Sequence, residues 1–184
     1  MSTFTTHSID SAPEASVALL QQTKQAFGFV PNLLATMAES PVILNGYIQL
    51  ADILNQGELT ETERQIVLMT NNRLNGCEYC MAAHTTISQM QGVDDAVIKA
   101  LRNNTPIDNP KLEALRTFAA VINDSRGWPT EQQLAAFFEA GYTKAAVLEV
   151  IVATSLKVMS NYTNHIAETE LDAAFTANAW SESN

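Results

Sequence analysis

Apolar residues recur at helical spacing along most of the chain, and capping residues separate the apolar stretches. Residues of the β-branched type rarely form the alternating runs that are typical of strands. The pattern therefore predicts an all-α fold. We expect helices at about 41–56, 61–74, 77–91, 94–102, 110–123, 130–140 and 143–175.

Three local features set the expected helix boundaries. Gly57 is predicted to supply a left-handed residue after the first of these helices. Thr60 and Glu63 form a capping box for the next helix, which should stop at Asn75-Gly76. The last helix is long, and we expect an interruption near Ser160-Asn161, where small polar side chains can bond their own backbone.

The chain, 1–184, is interpreted as one domain with a weak internal repeat. An offset of 84 pairs Gly57 with Gly141, and it makes 141–175 a degenerate copy of the segment 59–92. Two pseudo-repeated helical lobes would follow. Chance similarity between two amphipathic helical stretches is the alternative. Under this alignment Cys77 and Cys80 fall on Asn161 and Asn164.

The charge balance narrows the classes of partner. Twenty acidic residues against ten basic ones give a net charge of −10, which repels phosphate backbones and anionic membranes. We therefore expect neither a nucleic-acid nor a membrane partner. The first residues lack a basic segment followed by an apolar run, and no apolar stretch of about 18 residues occurs. A cytoplasmic location is expected.

The chemistry is concentrated in a Cys-x-x-Cys-x-x-x-His run formed by Cys77, Cys80 and His84. Residues three and four apart share a helix face, so these side chains should lie in one line. A thiol at a helix amino terminus meets unpaired N–H groups, which favour the thiolate. Cys77 is thus expected to be the more acidic and more exposed sulfur. His84 could accept the proton of Cys80 and activate it as a nucleophile.

Three other interpretations of the same residues stay open. Paired cysteines can be inert core residues, or incidental thiols of a binding module. A zinc site would use Cys77, Cys80 and His84 with His165 as the fourth ligand. Because the chain has no second close-spaced ligand pair, we expect neither a metal nor a cofactor.

The motif resembles a known family. Leu-Thr-Glu-Thr-Glu-Arg-Gln-Ile-Val at 59–67 and Asn-Gly-Cys-Glu-Tyr-Cys-Met-Ala-Ala-His at 75–84 are similar to the core motif of alkylhydroperoxidase D proteins and their carboxymuconolactone decarboxylase relatives. Phe-Val-Pro-Asn at 29–32 and Asn-Tyr-Thr-Asn-His at 161–165 resemble the longer, peroxidase-related branch of that family.

The resemblance implies an all-helical fold and a homo-oligomer, such as a dimer, trimer or hexamer. It also implies reduction of a hydroperoxide through a cycle in which Cys77 and Cys80 alternate between thiols and a disulfide. Cys80 would attack the peroxide, Cys77 would resolve the sulfenic acid, and His84 would move the proton. An external dithiol or redox protein would donate the electrons.

The chain departs from the family pattern at two positions. Gln65 stands where the family commonly carries a glutamate, and an amide cannot relay a proton. Glu61, one turn earlier, is the candidate substitute, although an acidic residue also favours a helix amino terminus. Tyr79 occupies a position where some members have histidine. Glu61, Gln65, Tyr79 and His165 are therefore candidate relay or pocket residues. Lactone decarboxylation and a redox sensor with little turnover are the alternative functions.

Overall fold

The computed structural model describes residues 3–182, and within that range it contains α-helices, one short 3₁₀ helix and no strand. The predicted all-α fold is confirmed. The helices are α1 (Glu14–Phe27), α2 (Asn32–Met37), α3 (Pro41–Leu54), α4 (Glu61–Leu74), α5 (Glu78–Met90), α6 (Asp95–Asn103), α7 (Pro110–Ser125), α8 (Glu131–Glu139) and α9 (Lys144–Ala167), followed by the 3₁₀ helix Ala173–Asn178.

Helix α4 has the bounds that its capping residues predict. The Thr60 hydroxyl accepts the Glu63 N–H at 3.3 Å, and the Glu63 carboxylate accepts the Thr60 N–H at 2.9 Å. Asn75 follows the last turn, and Gly76 adopts a left-handed φ of 64°. The chain then turns directly into α5, for which Cys77 is the N-terminal flanking residue.

Helices α1 and α2 were not predicted from the sequence. Helix α1 buries only Ser16, Leu20 and Thr23, so its apolar stripe is too narrow to stand out. Helix α2 has six residues, fewer than a periodic pattern needs to be recognised.

The predicted interruption of the last helix at Ser160-Asn161 is wrong. Helix α9 runs unbroken through both residues and ends at Ala167, where Glu168 adopts a left-handed φ of 50°. The Ser160 hydroxyl donates to the Leu156 carbonyl, one turn earlier, which leaves the helical ladder intact. The Asn161 side chain does not bond to the backbone of α9 but donates to Asn72 on α4.

The two segments of the predicted repeat do not share a helical frame. In the first segment the chain turns at 75–77 between α4 and α5. The matched positions 159–161 lie in the middle of α9. Residues 141–175 are therefore one helix and a 3₁₀ helix, not a second helix pair.

Gly57 serves a different purpose from the predicted one. Its φ is not positive, and α3 already ends at Leu54. The Glu149 carboxylate reaches from α9 to the backbone here, accepting the N–H groups of Glu58 at 2.8 Å and Leu59 at 3.1 Å. A Cβ on Gly57 would lie 2.5 Å from that carboxylate, so the carboxylate could keep this position only beside glycine.

Two apolar clusters meet around α4, α5 and α9. The larger one joins the inner faces of α4 and α6–α9, and the smaller one joins α1–α3 with α5 and contains both cysteines. Tyr47 on α3 packs against both clusters. The dithiol therefore lies where the two clusters adjoin, away from solvent.

Helix α9 is long and apolar enough, by length and composition, to cross a membrane, and it is the one such helix among residues 3–182. It packs against α2, α3, α4, α5 and α7, and its inner face buries a lysine and two asparagines. This is how the core helix of a helical bundle is placed. Its outer face exposes apolar side chains, namely Leu148, Ile151, Val158, Tyr162 and Ile166.

The Gly57→Ala variant should be less stable, because the new methyl group displaces the Glu149 carboxylate from two backbone N–H groups. Each lost hydrogen bond is worth about 1 kcal/mol, and urea unfolding would measure the change. Gly46→Ala is the matched control, since its Cβ would meet only the Met159 Cε at 3.6 Å. Inside α3 that change should stabilise by up to about 1 kcal/mol. Equal stability of the two variants would contradict the assignment.

Candidate dithiol site

Asparagines fix the turn that carries the cysteines. The Asn72 carbonyl accepts the Cys77 N–H at 2.9 Å, and the Asn72 amide donates to the Cys80 carbonyl at 3.2 Å. Asn161 on α9 donates to Asn72 at 3.0 Å and accepts from Asn75 at 2.8 Å. All the buried amides of this set are thus shared between α4, the turn and α9. The turn cannot shift without breaking several of these bonds.

The two thiols are free, adjacent and buried. Cys77 is 1% exposed and Cys80 is 2% exposed, and the two side chains hydrogen-bond to each other. The Asn164 amide on α9 donates to the Cys80 sulfur at 3.2 Å and lies 3.6 Å from the Cys77 sulfur. The predicted alignment of both sulfurs on one face is what the structure shows.

The acidity of the two sulfurs is the reverse of the prediction. Burial raises the pKa of Cys80, but the hydrogen bond from Cys77 and the charge of Lys157 outweigh it, and the pKa falls to about 6. Ser160 and Asn161 add hydrogen bonds to the same sulfur. The hydrogen bond to Cys80 and burial together raise the pKa of Cys77 above its ordinary value. Cys80 is therefore the thiolate.

Lys157 is the site residue that the sequence reasoning missed. It lies on the inner face of α9, is fully buried, and places Nζ 2.8 Å from His84 Nε2. It is the single lysine or arginine in the apolar stretch 150–167, and a lone cation in such a stretch is the feature that could have identified it. A buried ammonium needs acceptors or anions nearby, and the thiolate and the imidazole supply them.

His84 is held by partners other than Cys80. Its Nδ1 lies 2.8 Å from the Gln65 Oε1, and its Nε2 faces Lys157. Burial and the charge of Lys157 lower the pKa of His84 well below its ordinary value, so the ring is neutral. Both ring nitrogens are engaged, and the expected direct contact with Cys80 is replaced by an approach through Lys157.

Gln65 and Glu61 continue this chain of contacts toward the surface. Gln65 is buried, and its Nε2 donates to Glu61 Oε1 at 2.9 Å and to Gln91 Oε1 at 3.1 Å. Glu61 does not replace the family glutamate beside His84. It reaches the ring only through the Gln65 amide.

Tyr79 and His165 lie outside the site. The Tyr79 hydroxyl donates to Asp172 Oδ2 at 2.5 Å and accepts the Leu33 N–H at 3.3 Å, which ties α5 to α2 and to the chain end. Burial and Asp172 raise the pKa of Tyr79, so it is no relay at neutral pH. His165 lies on the exposed face of α9 beside Tyr162. Asn164, the residue before it, is the one that reaches the sulfurs.

Within 3–182, no group of three or more histidine, cysteine, aspartate or glutamate side chains is arranged to hold a metal ion. The zinc interpretation required His165 to join the cysteines and His84. The exposed position of His165 removes that fourth ligand.

Comparison with known proteins agrees with the motif. Residues 41–120, which include α4, α5 and both cysteines, match the carboxymuconolactone decarboxylase family. The match covers less than half of the chain. A search of the curated proteins gave no match.

Solved structures extend the likeness over nearly the whole chain. An alkylhydroperoxidase AhpD core, an uncharacterised peroxidase-related protein from Ralstonia eutropha JMP134, superposes with a TM-score of 0.84 at 22% identity, over 95% of this chain and 94% of that one. A peroxidase-related protein from Silicibacter sp. TM1040 gives 0.77 at 19% identity, over 89% and 87%. The debrominase Bmp8, in a cysteine-to-alanine variant bound to 2,3,4-tribromopyrrole, gives 0.80 at 18% identity, over 97% and 96%. The alkylhydroperoxidase D-like fold is thereby confirmed.

Replacing Lys157 by methionine should raise the pKa of Cys80, because the variant removes the charge that favours the thiolate while keeping much of the side-chain volume. At a pH below the pKa, each unit of that rise lowers the thiolate fraction about tenfold. Thiolate absorbance in the ultraviolet, followed against pH, measures the shift. Lys157→Arg retains the charge and is the control. A titration midpoint that does not move in Lys157→Met would refute the role of this ammonium.

Proposed function

We propose that the protein is a thiol-dependent peroxidase or disulfide oxidoreductase that cycles Cys77 and Cys80 between two thiols and a disulfide. One feature carries the proposal: two free, buried thiols hydrogen-bond to each other, and Cys77 and the charge of the buried Lys157 lower the pKa of Cys80 to about 6. A lowered pKa at one member of a vicinal pair is the property that peroxide-reactive and disulfide-exchanging thiols share.

In the first step the Cys80 thiolate attacks the terminal oxygen of a hydroperoxide. The S–O bond forms, the O–O bond breaks, and the leaving alkoxide takes a proton to become an alcohol. Sulfur is oxidised by two electrons, and the peroxide is reduced by the same two. Lys157, whose charge acts on the Cys80 sulfur and whose Nζ is held by His84, is the group that can deliver the proton.

In the second step Cys77 resolves the sulfenic acid. Its pKa is raised chiefly because its thiol donates to the Cys80 thiolate, and that anion is gone once Cys80 is oxidised. Cys77 therefore becomes easier to ionise at the moment when it must attack. The S–S bond forms, and hydroxide leaves as water. A dithiol or a redox protein then reduces the disulfide by thiol exchange.

The side chain of Asn164 supports the proposal that a hydroperoxide binds next to Cys80. Its Nδ2 donates to the sulfurs, while its buried Oδ1 has no donor. The O–H of a hydroperoxide is a donor that would satisfy this oxygen and aim the terminal oxygen at Cys80. Because the sulfurs of Cys77 and Cys80 are nearly fully buried, the proposed cycle requires neighbouring side chains to move when the substrate enters.

Other functions rest on less. Lactone decarboxylation has the family name as its support, and release of carbon dioxide from a carboxymuconolactone would test it. Debromination, the activity named for one structural neighbour, would draw on the same thiol pair. A redox sensor is favoured by Gln65, because the family glutamate is missing from the site.

Serine variants of the two cysteines should fail at different steps. With cumene hydroperoxide and dithiothreitol, Cys80→Ser should lose at least about a hundredfold in peroxide consumption, because no other thiolate lies in the site. Cys77→Ser should still react once and accumulate a sulfenic acid on Cys80. Dimedone labelling followed by mass spectrometry detects it.

His165→Gln is the control for these variants, since His165 lies on the exposed face of α9. Its peroxide consumption should equal that of the unmodified protein. Undiminished turnover in Cys80→Ser, or labelling on Cys77 in place of Cys80, would overturn the proposed cycle.

Self-association stays a prediction, and the exposed apolar face of α9 supports it. A second copy of the chain is the expected partner, so Ile166→Lys should lower the mass found by sedimentation. Trp128→Lys is the control, because Trp128 is exposed between α7 and α8. A mass unaffected by Ile166→Lys would contradict this use of the face.

The redox-sensor alternative predicts that oxidation of the thiols changes the association of subunits. Equal sedimentation masses for the oxidised and the reduced protein would argue against this alternative.

A further inference from the structure

Four side chains form a continuous hydrogen-bond network from the surface to Lys157, whose charge acts on the Cys80 sulfur. Glu61, half-buried at the start of α4, accepts from Gln65 at 2.9 Å. Gln65 lies 2.8 Å from His84 Nδ1, and His84 Nε2 lies 2.8 Å from Lys157. The network thus joins α4, α5 and α9, and it ends at Lys157, whose charge lowers the pKa of Cys80.

Hydrogen-bond donation runs in one direction along this network, and Glu61 sets that direction. The carboxylate of Glu61 accepts from Arg64 and from Gln65, so the Gln65 group that faces it has to be the NH₂. The Gln91 Oε1 accepts from the same NH₂ at 3.1 Å. The Gln65 carbonyl oxygen therefore faces His84, and only a protonated Nδ1 can donate to it. His84 Nε2 is left with a lone pair.

That lone pair points at Lys157. An ammonium has three N–H donors and no acceptor, so the contact at 2.8 Å requires an unprotonated Nε2. Each link in the chain is thus consistent with the next. The Gln65 amide is joined to Lys157 through the His84 ring. The orientation of this amide determines which nitrogen of His84 faces the ammonium.

We propose that Glu61 and Gln65 are positioning residues that hold His84 as its Nδ1–H tautomer, so that the Lys157 ammonium, and not an imidazolium, donates the proton to the leaving alkoxide. This inference rests on the proposed peroxidase function. It also gives the unusual Gln65 a purpose, since an amide fixes the tautomer without adding a negative charge next to the ring.

A glutamate at position 65 would change the charge balance of the site. Its carboxylate would accept from His84 Nδ1 as well, but it would also favour a charged imidazolium. Two cations would then face each other at the distance of a hydrogen bond. The other titratable groups around Lys157 are Tyr47 on α3 and the two thiols on α5. A neutral residue at position 65 therefore keeps His84 neutral, which suits the positive charge of Lys157.

The proton balance closes over one turnover. Lys157 gives one proton to the alkoxide and becomes a neutral amine. The Cys77 thiol supplies the proton that turns the departing hydroxide into water. When an external dithiol reduces the disulfide, Cys80 returns as thiolate and Cys77 as thiol, and the remaining proton from the donor restores the ammonium. His84 keeps its Nδ1 proton throughout.

Nitrogen-15 NMR of the histidines tests the tautomer without any peroxide. In the unmodified protein the His84 signals should show a protonated Nδ1 and an unprotonated Nε2, and a His84→Phe spectrum assigns them. Glu61→Gln should allow the Gln65 amide to rotate, so signals of the Nε2–H tautomer should appear. Glu131→Gln, which changes the equivalent first residue of α8, should leave the spectrum unchanged.

Gln65→Met is the second variant, because it removes the acceptor for Nδ1 while retaining an unbranched side chain. Signals of the Nε2–H tautomer of His84 should appear in this variant, as in Glu61→Gln. A protonated Nε2 in the unmodified protein would overturn the inference. So would an unprotonated Nε2 that persists in both variants.

Peroxide consumption by Lys157→Arg tests the identity of the proton donor. This variant keeps a positive charge near the Cys80 sulfur, but a guanidinium cannot be deprotonated in proteins, so peroxide consumption should fall at least about a hundredfold while the thiolate absorbance is retained. Undiminished peroxide consumption in Lys157→Arg would refute the role of Lys157 as the donor. Failure of the cycle itself would appear differently, as an absence of peroxide consumption in a protein whose histidine spectrum is as expected.

Discussion

A buried ammonium beside a buried thiolate is the interaction on which the site depends. Lys157 is fully enclosed, and an isolated ion in such a place would cost several kcal/mol of folding free energy. Cys80 and His84 make the position tolerable, one as an anion and the other as an acceptor. The same attraction that stabilises the lysine keeps the sulfur ionised. Stability and reactivity therefore depend on one charge pair.

Sequence reasoning succeeded where the cause was local. The capping box of Thr60 and Glu63 fixed α4 to the residue, and the Cys-x-x-Cys-x-x-x-His spacing aligned the thiols on one face. It failed where the cause was distant. Lys157 and Asn164 meet the motif across more than seventy intervening residues, and no local pattern gives that register. The acidity of Cys80 follows from the hydrogen bond from Cys77 together with the charge of the distant Lys157. Because the position of Lys157 could not be inferred from the motif, the predicted order of acidity of the two thiols was wrong.

The asparagines on α9 explain why that helix is continuous where a break was expected. Asn161 and Asn164 are poor helix formers because their amides compete for nearby backbone groups. Here both amides are occupied elsewhere, one by Asn72 and Asn75 and the other by the sulfurs. Tertiary hydrogen bonds have removed the competition. In α9 the polar residues inside an apolar helix therefore mark contacts with other elements and not a break.

The Asn164 carbonyl is the one part of this arrangement that folding leaves unsatisfied. A buried acceptor without a donor costs on the order of 1–3 kcal/mol, and rotation of the amide would take its donor away from Cys80. The protein thus keeps the orientation that serves the thiolate and leaves the oxygen open. Other asparagine amides in the network are fully paired. An acceptor that is open only next to the reactive sulfur is placed for a substrate that carries a donor, as a hydroperoxide does.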